Sequence, residues 1–134
     1  MWYKVKTSKQ IVAPSGKEKT KTEYWLTDKD NFVEAGYTVA KKLDSIYDIE
    51  DVCAMKNLKP LGNTKYNENN KVFIVKVAID MTNEDGLTKT QKYPIPFYAN
   101  NNSELQKIIE LYMKQGLEDM RISSVTETQF MIIE

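Results

Sequence analysis

Polar and apolar residues alternate from the start of this chain, and the alternation predicts β-strands. Over residues 2–12, Tyr3, Val5 and Thr7 fall on one face and Trp2, Lys4 and Lys6 on the other. Pro14-Ser15-Gly16 supplies a turn. Alternation resumes over 18–27, where Thr20, Thr22, Tyr24 and Leu26 oppose Lys19, Lys21, Glu23 and Trp25. Two such runs around a glycine turn predict a hairpin. The period then lengthens. Phe32, Gly36, Val39, Ala40 and Leu43 have the spacing of one helical face, with Asp30 as the expected cap. Residues 49–55 return to a β-compatible pattern, and residues 57–70 form an Asn-rich polar linker.

The second half follows the same order. Val72 to Met81 is apolar on both faces, which predicts a central strand. Asn83-Glu84-Asp85-Gly86 makes the turn, and residues 87–98 return with Pro94 and Pro96. Proline removes a ladder donor, so this strand belongs at an edge or a bulge. Ser103 and Gln106 predict a capping box. Leu105, Ile108, Ile109, Tyr112 and Met113 give the helical stripe, and Gly116 its stop. Residues 120–133 read as one final strand.

Sliding the chain against itself by 70 positions places Gly16 on Gly86 without a gap. Tyr3, Val5 and Lys6 then meet Phe73, Val75 and Lys76, while Glu34, Val39 and Val52 meet Glu104, Ile109 and Ile122. The expected fold is α+β. It consists of duplicated β-β-α-β units, with six mainly antiparallel strands and two helices. The expected organisation is a single domain over 1–134, with repeats at approximately 1–56 and 71–126 around the linker 57–70.

The opening MWYKVK, the segment TEYWLTDKDNFVEA and the late SVTET resemble a domain-of-unknown-function family of small proteins from Bacteroidetes and their phages. Trp2, Phe32, Glu34 and Ala35 carry the match. The resemblance implies the duplicated architecture and a cytosolic bacterial or phage origin. It implies no activity.

Composition narrows the chemistry. Net charge is zero and 41% of the residues are hydrophobic, so no global field gathers polyanions around an ordinary globular chain. Charge is nevertheless uneven. Residues 1–24 carry six lysines against Glu18 and Glu23, which is +4, leaving −4 for the rest. Histidine is absent, which removes the usual neutral-pH base and the commonest transition-metal ligand. Cys53 is the only cysteine and reads as a buried, inert thiol, so a zinc site is not expected. Neither acidic cluster, around Asp48 or around Asp85, has calcium-loop spacing. No enzymatic activity, cofactor or metal is expected.

Trp2, Lys4, Lys6, Lys19, Lys21 and Trp25 form the candidate site. Lysines interleaved with aromatics suit a single-stranded nucleic-acid platform, where ammonium groups track phosphates and rings stack on bases. The structural alternative is a hairpin whose lysines deter aggregation. Tyr66, Tyr93, Phe97 and Tyr98 offer another surface, either a ligand pocket or ordinary sheet aromatics.

The first functional reading is a non-enzymatic protein that binds single-stranded nucleic acid. The alternative is a phage or mobile-element adaptor that binds a host protein or sequesters a small nucleotide ligand. The expected location is the bacterial cytoplasm, without a membrane partner. The apolar run Phe130 to Ile133 suggests a homodimer.

Overall fold

A computed structural model describes residues 1–43, 47–114 and 120–133. Among the described residues the fold is mixed α+β, with two helices and seven strands in two sheets. It divides into two compact units. The first holds Met1–Lys56 with Gln129–Glu134, and the second Asn57–Thr128.

In the first unit, β1 (Trp2–Val12) and β2 (Glu18–Asp28) form the expected hairpin. Gly16 sits in its turn at φ +81°, a conformation that only glycine adopts without strain. Helix α1 (Phe32–Lys42) follows, and β3 (Asp48–Met55) pairs antiparallel with the far side of β1. The helix is capped by Asn31 rather than Asp30. The Asn31 side chain accepts a hydrogen bond from the Glu34 amide at 2.9 Å. Ala35 and Val39 enter a core with Tyr3, Val5 and Ile133, whereas Phe32 stays exposed at the helix start, off the expected stripe.

The second unit runs β4 (Lys71–Thr82), β5 (Thr88–Ala99), α2 (Asn102–Lys114) and β6 (Met120–Glu127). Its strand order is β5-β4-β6, so β4 is central as its two apolar faces require. Gly86 takes φ +80° in the turn. Asn101, rather than Ser103, caps α2. It accepts from the Glu104 amide at 2.9 Å, while Glu104 accepts from the Asn100 amide at 3.1 Å. Gly116 lies outside the described residues. Phe73, Val75, Val77, Ile95 and Phe97 meet Leu105 and Ile109 in the core.

The final stretch is two strands, which corrects the expected six to seven. At residue 128 the chain leaves β4, where the Thr128 amide and hydroxyl both donate to the Val72 carbonyl. It re-forms as β7 (Met131–Ile133), paired in parallel with β2. Ile133 is 7% exposed, and the Phe130 ring meets Tyr24 edge-on at 6.3 Å. The apolar run that suggested a homodimer is thus taken up within the first unit.

The polar segment 57–70 also has a structural task, which is to cover the outer edge of β5. Backbone amides of Lys59 and Gly62 donate to the carbonyls of Pro94 and Pro96, both at 2.9 Å. The Asn63 side chain then mimics a strand residue, donating to the Tyr98 carbonyl and accepting from its amide, both at 2.8 Å. Because residues 94, 96 and 98 turn their polar groups outward, Pro94 and Pro96 remove no donor from the β4–β5 ladder.

Candidate functional site

The hairpin does not bring the six candidate residues onto one surface. Its register pairs Val5 with Trp25 and Lys4 with Leu26. Directly opposed residues share a face, so Trp25 joins Tyr3 and Val5 on the helix-facing side. Lys19 and Lys21 lie on that same side, at the far end of the hairpin. Trp2, Lys4 and Lys6 lie on the other face, with Leu26 and Tyr24. The expected single platform is therefore two groups of three.

Neither tryptophan presents an open ring. Trp2 is only 5% exposed. Trp25 packs against the first core, and its indole N–H donates to the Thr7 hydroxyl at 3.0 Å. Three of the four lysines already have intramolecular partners. Lys6 Nζ lies 3.4 Å from Glu50, and Lys21 Nζ lies 3.0 Å from Glu23. Lys4 stands 5.7 Å from the Tyr24 ring centroid. The hydrogen bond and charge of Glu23 raise the pKa of Lys21, and hydrogen bonds from Ser8 and Lys6 lower that of Glu50.

Cys53 is exposed, contrary to the buried thiol expected. It lies opposite Lys4 on β3, the outer strand of the first sheet. Its thiol donates to Asp51 at 3.1 Å, and that bond pushes the thiol pKa up. The Asp51 bond is the largest influence favouring the protonated thiol, and partial desolvation adds to it.

The second unit holds a more coherent site, a cleft of about 630 Å³ on the helix side of its sheet. Val77, Ile79 and Ile95 form its floor, and Tyr112 of α2 and Met120 line it further. Pro60 and Leu61 of the β5 edge cover contribute a rim. Lys59 places its ammonium 4.7 Å from the Tyr93 ring centroid, and the Tyr93 hydroxyl donates to Gln91. Lys59 is the only charged residue among the lining residues described. The size falls in the range of small-ligand pockets, about 300–1,000 Å³, as does the apolar wall with few polar groups.

Register relates the residues under this cleft to those of the first sheet. Ile95 stands opposite Val75 just as Trp25 stands opposite Val5. In the first unit the indole reaches across to Thr7 and covers that part of the sheet. In the second unit the smaller Ile95 is itself buried, Val77 is 1% exposed, and Ile79 is the half-buried member of the three. Of the four aromatics singled out in the sequence, Tyr93 lines the cleft. Phe97 and Tyr98 are buried, and Tyr66 lines a shallower depression near Ile108. The cleft residues Lys59 and Ile95 were missed. The signal for Ile95 was the residue pair at the 70-position offset, Trp25 against Ile95.

Among the described residues, no helix is long and apolar enough to cross a membrane. A family model described as a domain of unknown function (DUF4494) matches residues 1–133. No curated protein and no solved structure matches the chain.

Proposed function

The chain belongs to the DUF4494 family, and we propose that it is a non-enzymatic protein that binds and sequesters a small ligand in the cleft of its second unit. The carrying observation is the cleft in which half-buried Ile79, Tyr93 and Tyr112 stand around the buried side chains of Val77 and Ile95. A folded chain gains by filling such a space, since each buried methylene is worth about 0.8 kcal/mol. Leaving it open is a stability cost that a ligand would offset.

We also propose that the two units are copies of one β-β-α-β ancestor, one of which filled its cleft with Trp25. Both have the third strand on the far side of the first. Both carry a register shift 70 residues apart, at Lys6/Thr7 and Lys76/Val77, and an Asn-x-x-Glu helix start.

Single-stranded nucleic acid is the competing reading, and one experiment separates the two. Protein purified from its own cells is denatured, and the released small molecules are identified by mass spectrometry. They are compared with those from the double variant Ile95→Trp, Val77→Thr. A compound retained by the wild type and lost from the variant supports the cleft. Equal small-molecule content refutes it, when combined with salt-sensitive oligonucleotide binding that Lys4→Glu with Lys19→Glu abolishes.

A further inference from the structure

We infer that a second groove of this unit, between α2 and segment 62–66, binds a small apolar ammonium ion. Its charged head lies between Glu104 and the Tyr66 ring, and its hydrocarbon lies on Ile108 and Leu111. This inference goes beyond the cleft and does not rest on it, since the two share only Tyr112 among their described lining residues. The groove encloses about 380 Å³, within the small-ligand range of about 300–1,000 Å³. Solvent reaches its walls. Tyr66 is 51% and Leu111 64% exposed, while Glu104, Ile108 and Tyr112 are half-buried. Glu104, Ile108 and Leu111 recur at i, i+4 and i+7, so they form one stripe along α2. At about 1.5 Å of rise per residue, the stripe is about 10 Å long, which suits an extended six-carbon chain with its head group.

The charge in this groove is single and negative. Glu104 is the only charged residue among the lining residues described, and it forms no ion pair with a described lysine or arginine. Its Oε2 accepts from the Asn100 amide at 3.1 Å as part of the helix cap. A carboxylate can accept about four hydrogen bonds, so the cap leaves capacity for a ligand. The Asn-rich segment ties Tyr66 to this acid. Asn70 Oδ1 accepts from the amides of Tyr66 and Asn67 at 3.0 and 3.1 Å, and Asn70 Nδ2 donates to Asn100 Oδ1 at 2.7 Å. Asn100 in turn donates to Glu104, which completes a hydrogen-bonded chain from an exposed tyrosine to a carboxylate. An ammonium gains a charge-assisted hydrogen bond from such an acid and a cation–π contact from a tyrosine face. An anion meets only like charge.

Amide-resolved NMR on the full chain near neutral pH tests this with hexylammonium, its neutral analogue hexan-1-ol and the anion hexanoate. Hexylammonium is expected to shift the amides of 64–66 and 104–112 saturably. Hexan-1-ol should bind about tenfold more weakly, because it lacks the charge-assisted bond, and hexanoate more weakly still. Glu104→Gln keeps an acceptor for the Asn100 amide, so the helix cap survives. It should bring hexylammonium down to the level of the alcohol. Tyr66→Leu keeps apolar bulk and should weaken the ammonium about two- to fivefold, with the alcohol unchanged. Equal affinity for ammonium and alcohol, or an ammonium affinity indifferent to Glu104→Gln, overturns the assignment. So does hexanoate binding as tightly as hexylammonium. Shifts confined to Val77, Ile79 and Ile95 place the probe in the cleft and also overturn it. No saturable shift at 64–66 and 104–112 up to about 10 mM of any probe removes the groove as a binding site and leaves the cleft untouched.

Discussion

Gly62→Ala should destabilise the second unit by about 2–4 kcal/mol, through a single methyl group. A Cβ at residue 62 would lie 2.1 Å from Phe97 Cε1 and 2.4 Å from its Cζ. The ring cannot swing away. Phe97 is fully buried, and Tyr112 meets it edge-on at 5.3 Å. The backbone at residue 62 must retreat instead, and it carries the edge cover with it. That cover rests on four hydrogen bonds, from the Lys59 and Gly62 amides and both ends of the Asn63 side chain. Each is worth about 0.5–1.5 kcal/mol net. Losing two or three, with about 1–3 kcal/mol as the usual cost of overpacking, gives the stated range after partial relaxation. The stiffer unfolded chain offsets only about 0.4–1 kcal/mol.

Urea unfolding followed by far-UV circular dichroism measures the loss. Gly86→Ala is the control. No atom lies within 4 Å of its added Cβ, and its penalty comes from φ +80° alone. It should cost about 1–2 kcal/mol. The two variants also separate by hydrogen exchange. Only Gly62→Ala should expose the Tyr98 amide, which pairs with Asn63. A Gly62→Ala protein within 0.5 kcal/mol of wild type, with Tyr98 still protected, would refute the claim that this loop is wedged against Phe97.

Three further outcomes follow from the same contacts. Thr7→Val deprives the Trp25 indole of its acceptor and should cost about 1–3 kcal/mol, with a shift in tryptophan emission as the direct readout. Asp51→Ala removes the bond that raises the Cys53 pKa, so iodoacetamide should alkylate the thiol faster near pH 8, and an unchanged rate would contradict the assignment. Hydrogen bonds from Arg121 and Thr90 lower the Asp80 pKa, so their stabilisation is complete above the ordinary carboxylate value and is lost as pH falls through the depressed one. The stability gap between wild type and Arg121→Gln should therefore be open near neutral pH and closed in acid, as read by thermal unfolding.

The hairpins and helices were legible in the sequence because alternation and glycine turns are local signals. The face of β2 was not. Tyr24, Trp25 and Leu26 are consecutive bulky residues, so both faces look apolar and period alone cannot choose between them. The turn chooses, by closing Val12 on Glu18 and so placing Trp25 opposite Val5. The break after Glu127 was hidden for a different reason. Thr128-Gln129-Phe130 contains neither glycine nor proline, and the strand ends because the Thr128 amide and hydroxyl converge on Val72. The caps were present as Asn31-x-x-Glu34 and Asn101-x-x-Glu104. They escaped notice because neighbouring Asp30 and Ser103 are equally good cap residues.

Two units of like connectivity need not divide their tasks equally. In the first, the sheet is closed by an indole whose N–H has a partner in Thr7. A large ring is half-buried with its polar group satisfied, which favours stability. In the second, Val77 replaces the hydroxyl that such a ring would need. A tryptophan at residue 95 would therefore bury an unpaired N–H, unless Val77 changed with it. The two positions are coupled through that N–H. Tyr93 and Lys59 then supply the mouth where Glu23 lies in the first unit, opposite Thr7 and paired with Lys21.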